Sequence, residues 1–425
     1  MLKQFILNSA VTTVLKFLSA ALKFLMIIYI TNKFGASEYG AFTFAMSIFL
    51  MVNLVFRYGF DIYMQKEVAL LEEKKKYLTG ISQFINVTYF SVVSLIIVTV
   101  LVEIVLYNFS MNIDTLKYNY LSVMFLFSFL YAIMWIFTYY YRGIGRGKTS
   151  VFNLEILFPI IQIISIYGLS ELNLQVYLIL IYSFSIAMLF SILVYIFNIK
   201  ERIKNLIFYS KKTLPKLQIK HIKQSYPFLL VSMSTMILAW TDIFVISYFE
   251  TNENIGIYSV VTKIGLLMLF PASAVIIYFS NKVVVFINKR NYTKLNKYFK
   301  IATFGLFTIS LLMFIVINYY NEYLLFLFGD VFTSATTTLL IFTFAQLING
   351  TTGVFESIFL MSDLKYLFMK LNTIMIIVNI FLNIPLIYFY GINGAATATL
   401  VVISINKVIQ LYIINKKVLS LKGNL

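Results

Sequence analysis

The chain is 425 residues long, 60% hydrophobic, 18% aromatic and only 12% charged. A soluble domain is nearer half apolar and a quarter charged, so this composition describes an integral membrane protein. The formal charge is +17, but basic residues in such a chain first set loop orientation, and nucleic acid is not an expected partner. With no Cys and a single His, His221, there is no disulfide framework, and no metal site, cofactor or catalytic residue is expected.

The first apolar run, Phe5 to Ile30, is long enough to cross a bilayer as a helix. It exceeds a signal-peptide core and is read as a retained helix. It carries Lys16 and Lys23, two helical turns apart and therefore on one stripe. A charge near the middle of a spanning helix costs on the order of 2.5–3.5 kcal/mol. Two on one stripe indicate that this face meets something other than lipid.

Further runs of spanning length follow, and no ten-residue alternation suggests a β-barrel. They cover Leu7–Ile30, Gly40–Phe56, Gly80–Leu106, Tyr120–Tyr141, Ser150–Gly168, Val176–Phe197, Tyr226–Phe249, Tyr258–Ser280, Ile301–Tyr320, Ser334–Leu360, Leu371–Tyr390 and Gly394–Ile414, about twelve in all. The fold class expected is all-α integral membrane. Lys and Arg crowd alternate loops, from Lys74–Lys76 and Arg146 through Lys211, Lys289 and Lys416, while the opposite loops carry only Lys33 and Lys117. That asymmetry puts both termini in the cytoplasm.

The longest polar break, Asn198–Gln224, is basic and divides the runs six and six. We read residues 1–200 as one six-helix bundle, 201–224 as a cytoplasmic linker and 225–425 as a second bundle. The halves resemble each other: Gly40-Ala41-Phe42 aligns with Gly256-Ile257-Tyr258, and Tyr167-Gly168 with Tyr390-Gly391. An even number of spans in each half makes the repeats parallel, as in transporters with a site between two bundles. Gln65–Leu78 and Asn281–Lys300 occupy equivalent places. They read either as amphipathic helices in the headgroup layer or as solvated loops.

Four stretches carry a family resemblance. They are FGASEYGAF after the first run, RYGFD ending the second, YYYRGIGRGK after the fourth, and NIPLIYFYGINGAATATL across the last two. Together they resemble the polysaccharide (O-antigen) flippases of the polysaccharide transport family, in the superfamily of multidrug and toxin extrusion antiporters and lipid II flippases. The resemblance implies two V-shaped bundles in alternating access in a bacterial inner (cytoplasmic) membrane. It implies movement of an undecaprenyl-diphosphate-linked oligosaccharide from the inner to the outer leaflet. It further implies an ion gradient as driving force, and polymerase and glycosyltransferase partners.

A diphosphate crossing hydrocarbon needs fixed cations. The candidates are Lys16, Lys23, Arg57 and Lys263, and the related lipid II flippases place basic residues on the same first, second and eighth helices. Each has a plainer reading: snorkelling for the lysines, an i,i+4 pair with Asp61 for Arg57, and a pair with Asp242 for Lys263. Candidate groups for proton or sodium coupling are Asp242, Glu155 and Glu356, the two glutamates being readable as paired or snorkelled instead. Lys407 is expected at the interface. Two other functions remain open. A multidrug antiporter would favour an acidic or aromatic cavity. A membrane glycan polymerase or ligase would need a large outer loop, and the outer loops here are short.

Overall fold

The computed structural model describes residues 2–109, 115–209, 219–362 and 364–419. Every element among them is helical. A chain this apolar must satisfy its backbone internally, and a helix does so within one segment. In order they are α1 (Leu2–Arg57), α2 (Phe60–Glu73), α3 (Tyr77–Phe109), α4 (Thr115–Leu126), α5 (Ser128–Gly143), α6 (Gly147–Phe152), α7 (Phe158–Ser170), α8 (Val176–Tyr209) and α9 (Ile219–Phe249). There follow α10 (Asn252–Leu266), α11 (Leu269–Asn288), α12 (Tyr292–Tyr319), α13 (Asn321–Phe326), α14 (Thr336–Thr351), α15 (Gly353–Met361) and α16 (Lys365–Ile414).

Seven helices among the described residues are long and apolar enough to cross a membrane. An eighth forms if α4 and α5, bent by 54°, count as one span. The count of about twelve from the sequence is not reached by length alone, for two physical reasons. First, α1 and α16 each hold two expected runs, separated by a break at Gly35 (φ 88°) and at Gly391 (φ 56°). Both glycines take backbone conformations that a side chain resists. Secondly, the run 258–280 is divided between α10 and α11 at Leu267–Met268, while the run 226–249 lies on α9. The segment Asn281–Lys300 is likewise not one surface helix. It turns at Arg290 (φ 51°), and Asn291 then caps α12 by accepting the amide of Lys294 at 3.0 Å.

The chain folds as two compact units, Met1–Phe34 with Ala41–Ile237, and Gly35–Gly40 with Leu238–Leu425. In the first unit, Phe49 sits in an aromatic core with Tyr131, Phe125 and Phe184 at 5.3, 6.0 and 6.2 Å between ring centres. The RYGFD stretch makes a tight turn, Tyr58 and Gly59 both having positive φ. Gly59 rests on the backbone of α9 at Ser225 and Leu229, leaving no room for a Cβ. In the second unit, Phe279, Val283, Leu295, Phe299, Phe355 and Phe359 form a buried cluster that Ile414 and Val418 complete.

Gly40 and Gly256, the residues aligned by the internal repeat, meet within the second unit. A methyl group on Gly40 would collide with the carbonyl of Asn252, and one on Gly256 with the carbonyl of Ala36. The contact is reciprocal, each glycine meeting the carbonyl one turn before the other, and lets the two helix backbones touch. Gly256→Ala is therefore expected to lower the stability of the detergent-solubilised protein by about 1–3 kcal/mol through overpacking. Gly305→Ala, which meets nothing within 4 Å, should be neutral or stabilising in the same thermal-unfolding measurement.

Candidate functional site

In the first unit, one face of α1 is tied to the segment running into α7. Lys23 Nζ lies 2.7 Å from Glu155 Oε2, and Ser19 Oγ, one turn earlier, donates to the same oxygen at 2.7 Å. Glu155 sits in a π-helical turn, Asn153–Leu157, which ends at Phe158 just before Pro159. The structure thus joins two residues that the sequence reading assigned to separate tasks. The Lys23 side chain is still 47% exposed and that of Glu155 22%. An ammonium has three donors, so the pair leaves Lys23 able to meet a second acceptor. Lys16 continues the stripe on the same helix, and its side chain lies outside the described residues. Ten residues beyond Lys23, Lys33 donates to Ser170 Oγ at 2.6 Å and to Tyr29 Oη at 3.2 Å. From the sequence alone, Lys33 reads only as a loop charge.

Arg57 adopts the plainer of its two readings. Its Nη1 meets Asp61 Oδ2 at 2.9 Å, with both side chains under 10% exposed. Nε donates to the carbonyl of Asn53 at 3.3 Å. The guanidinium also lies over Trp135 and Tyr131, 5.3 and 5.6 Å from the ring centres. At the end of the same unit, Tyr63 Oη contacts His221 Nδ1 at 2.6 Å, joining α2 to α9. Burial first, and then the charge of Glu67, push the Tyr63 phenol up to about 12.

In the second unit the best-organised polar centre is Asp242 on α9. Oδ2 accepts from Tyr258 Oη at 2.6 Å and from Thr399 Oγ1 at 2.9 Å. Oδ1 accepts from Asn383 Nδ2 at 2.8 Å, and that amide also donates to Asn379 Oδ1 at 3.0 Å. These three donors are neutral and Lys263, exposed on α10, is not among them, so the alternative reading of Lys263 as the partner of Asp242 does not hold. Asn379 and Asn383 are buried, and Asn383 Oδ1 has no hydrogen-bond partner. A carboxylate met by two hydroxyls and an amide nitrogen, with no cation bound to it, is chemistry suited to a proton or a small hard cation. The sequence reading found Asp242 but missed its shell. The available signal was two Asn one turn apart inside an apolar run, which hydrocarbon tolerates poorly.

Glu356 reaches Lys407 Nζ at 3.1 Å. Lys407, expected at the interface, is instead buried, its side chain 6% exposed against 48% for Glu356. The ammonium cannot return to water and takes the glutamate as its counter-charge.

The arrangement of helices is that of a known class of membrane transporters. A multidrug resistance MATE family transporter of the MOP superfamily, in an inward-facing conformation, superposes with a TM-score of 0.71 at 13% identity, over 96% of each chain. The lipid II flippase MurJ, in an inward closed conformation, does so with a TM-score of 0.70 at 18% identity, over 96% of this chain and 87% of MurJ. A MOP superfamily transporter from Pyrococcus furiosus gives 0.57 at 14% identity, over 98% and 95%. No curated protein sequence matches the chain. Residues 5–281 match the polysaccharide biosynthesis protein family, and the chain belongs to that family, a multi-pass membrane protein with a MOP-type fold.

Removing one partner of a buried ion pair costs more than replacing the buried charge by an apolar group of similar size. Glu356→Ala should therefore destabilise the protein by up to about 3 kcal/mol, and Lys407→Met by clearly less. Thermal unfolding of the two variants in detergent checks the order.

Proposed function

We propose that the protein is a flippase that carries an undecaprenyl-diphosphate-linked oligosaccharide, an O-antigen or capsule repeat unit, from the inner to the outer leaflet of a bacterial cytoplasmic membrane. Both termini are cytoplasmic in this reading. The observation that carries it is Lys23: a cation on an apolar helix, partly neutralised by Glu155 yet half open, in a chain of the polysaccharide biosynthesis family. In the first unit the diphosphate is met by Lys23, with Lys16 the further candidate on the same helix; Lys263 is the candidate cation of the second unit. Arg57, already neutralised by Asp61, contributes less to that charge. A multidrug carrier has little use for such cations, because its substrates are commonly cationic themselves. A solved structure of similar fold is named a lipid II flippase, which supports a lipid-linked substrate.

Asp242 is the coupling group. Glu155 and Glu356 each already balance a lysine, whereas Asp242 is held only by neutral donors and is the carboxylate left to bind a proton or sodium ion. The membrane lipids surround the carrier, glycosyltransferases supply its substrate, and a polymerase consumes it on the far side.

Reconstituted in vesicles with a fluorescent lipid-linked glycan, the protein should translocate the glycan when a proton or sodium gradient is imposed. Lys23→Ala should slow translocation about tenfold, the scale of one lost charge-assisted contact. Asp242→Asn should remove the response to the gradient. Drug efflux without glycan movement under either gradient overturns the flippase reading.

A further inference from the structure

We propose that one face of α5, bearing Tyr131, Trp135 and Tyr139, is a sugar-binding subsite whose polar contacts come from the Arg57–Asp61 pair. The inference rests on the flippase reading and assigns the part of the substrate that the lysines leave unplaced, the glycan.

The three residues recur every four positions, so their rings stand in a ladder along one side of the helix. Tyr131 and Trp135 are 5.9 Å apart between ring centres, and Trp135 and Tyr139 are 5.8 Å apart. The inner rung is fixed: Tyr131 is buried and packs on Phe49 and Phe184 at 5.3 and 6.1 Å. Trp135 and Tyr139 are only half-buried. The ladder therefore runs from a rigid core to an open end. At that end the guanidinium of Arg142 lies 4.7 Å from the centre of the Tyr139 ring.

A sugar ring has an apolar C–H face and a rim of hydroxyls. Flat aromatic side chains match the face, because they present large rigid apolar area with little entropy to lose. The rim needs donors and acceptors together, and a guanidinium beside a carboxylate provides both. Arg57 and Asp61 are such a pair, and Arg57 lies over both Tyr131 and Trp135. Their mutual charge cancels, so the pair suits neutral hydroxyls better than a diphosphate. Burying it costs desolvation that Coulomb attraction seldom recovers, so stability alone does not account for it. One turn before Arg57 on the same helix face, Asn53 is fully buried and its Oδ1 accepts no hydrogen bond. An acceptor left open inside a core is unusual, and a sugar hydroxyl is the donor that would complete it.

The chain has two tryptophans, Trp135 and Trp240, so Trp240→Phe leaves Trp135 as the sole indole reporter. The full-length protein in detergent is titrated with oligosaccharide released by mild acid from lipid-linked intermediates of the expression host, and separately with farnesyl diphosphate. A saturable change in Trp135 emission with the oligosaccharide and none with the diphosphate is expected. In vesicles, Trp135→Ala should slow glycan-lipid translocation about tenfold while Trp135→Phe, which keeps an aromatic face, stays within about threefold of the parent. No change in Trp135 emission, together with normal translocation by Trp135→Ala, overturns the subsite. Equal impairment of the Ala and Phe variants without an emission change also overturns it, since that is a packing defect. If emission responds to the oligosaccharide but no glycan-lipid moves in the parent protein, the subsite stands and the flippase reading falls.

Discussion

A polar group at membrane depth has no water to turn to, and the organisation of this protein follows from that constraint. Backbone amides are satisfied within helices. Charged side chains are not, and each must find its partner in the chain or remain where a substrate or ion can supply one. The described intramembrane charges solve this problem in three different ways.

Closed pairs are the first solution. Arg57 with Asp61 is buried on both sides, and Lys407 is buried against a half-exposed Glu356. The second is an open pair, Lys23 with Glu155, in which the ammonium is balanced but remains accessible. The third is a carboxylate with no cation: Asp242 is held by Tyr258, Thr399 and Asn383. The second and third leave a charge open to a substrate or ion, whereas the closed pairs cancel their own charge. In the proposed function the open cation meets the anionic substrate, and the carboxylate held by two hydroxyls and an amide meets the coupling cation. A carrier that couples the two needs both, and the two groups lie in different units of the chain.

Fold and function are constrained unequally. Transporters that share this fold at 13–18% identity are named as a multidrug resistance transporter and a lipid II flippase, so the helices alone do not specify what is carried. Glycines at helix breaks and crossings belong to the scaffold: Gly35, Gly391, Gly40 and Gly256 set where helices bend and touch. The charges and the aromatic ladder on α5 are the groups we assign to the cargo.

Hydropathy and loop charge were enough to establish a helical membrane protein, because burial in lipid demands long apolar runs whatever the tertiary contacts are. The short motifs around Gly40 and Gly391 were enough to suggest the family, since close helix approach and positive φ require glycine at fixed places. Helix length does not confirm the count of about twelve runs, because α1 and α16 each carry two runs across a one-residue break and another run is divided at Leu267–Met268. Lys23, Glu155, Arg57, Asp242 and Glu356 were visible as charges in apolar surroundings. Their pairing was not, because Lys23 and Glu155 lie 132 residues apart and no local rule connects them. Neutral side chains were hidden more deeply still: Asn383, Thr399 and Tyr258 become a carboxylate's shell only once α9, α10 and α16 pack together. One-dimensional pattern determined which groups needed partners, and tertiary packing alone decided which partners they received.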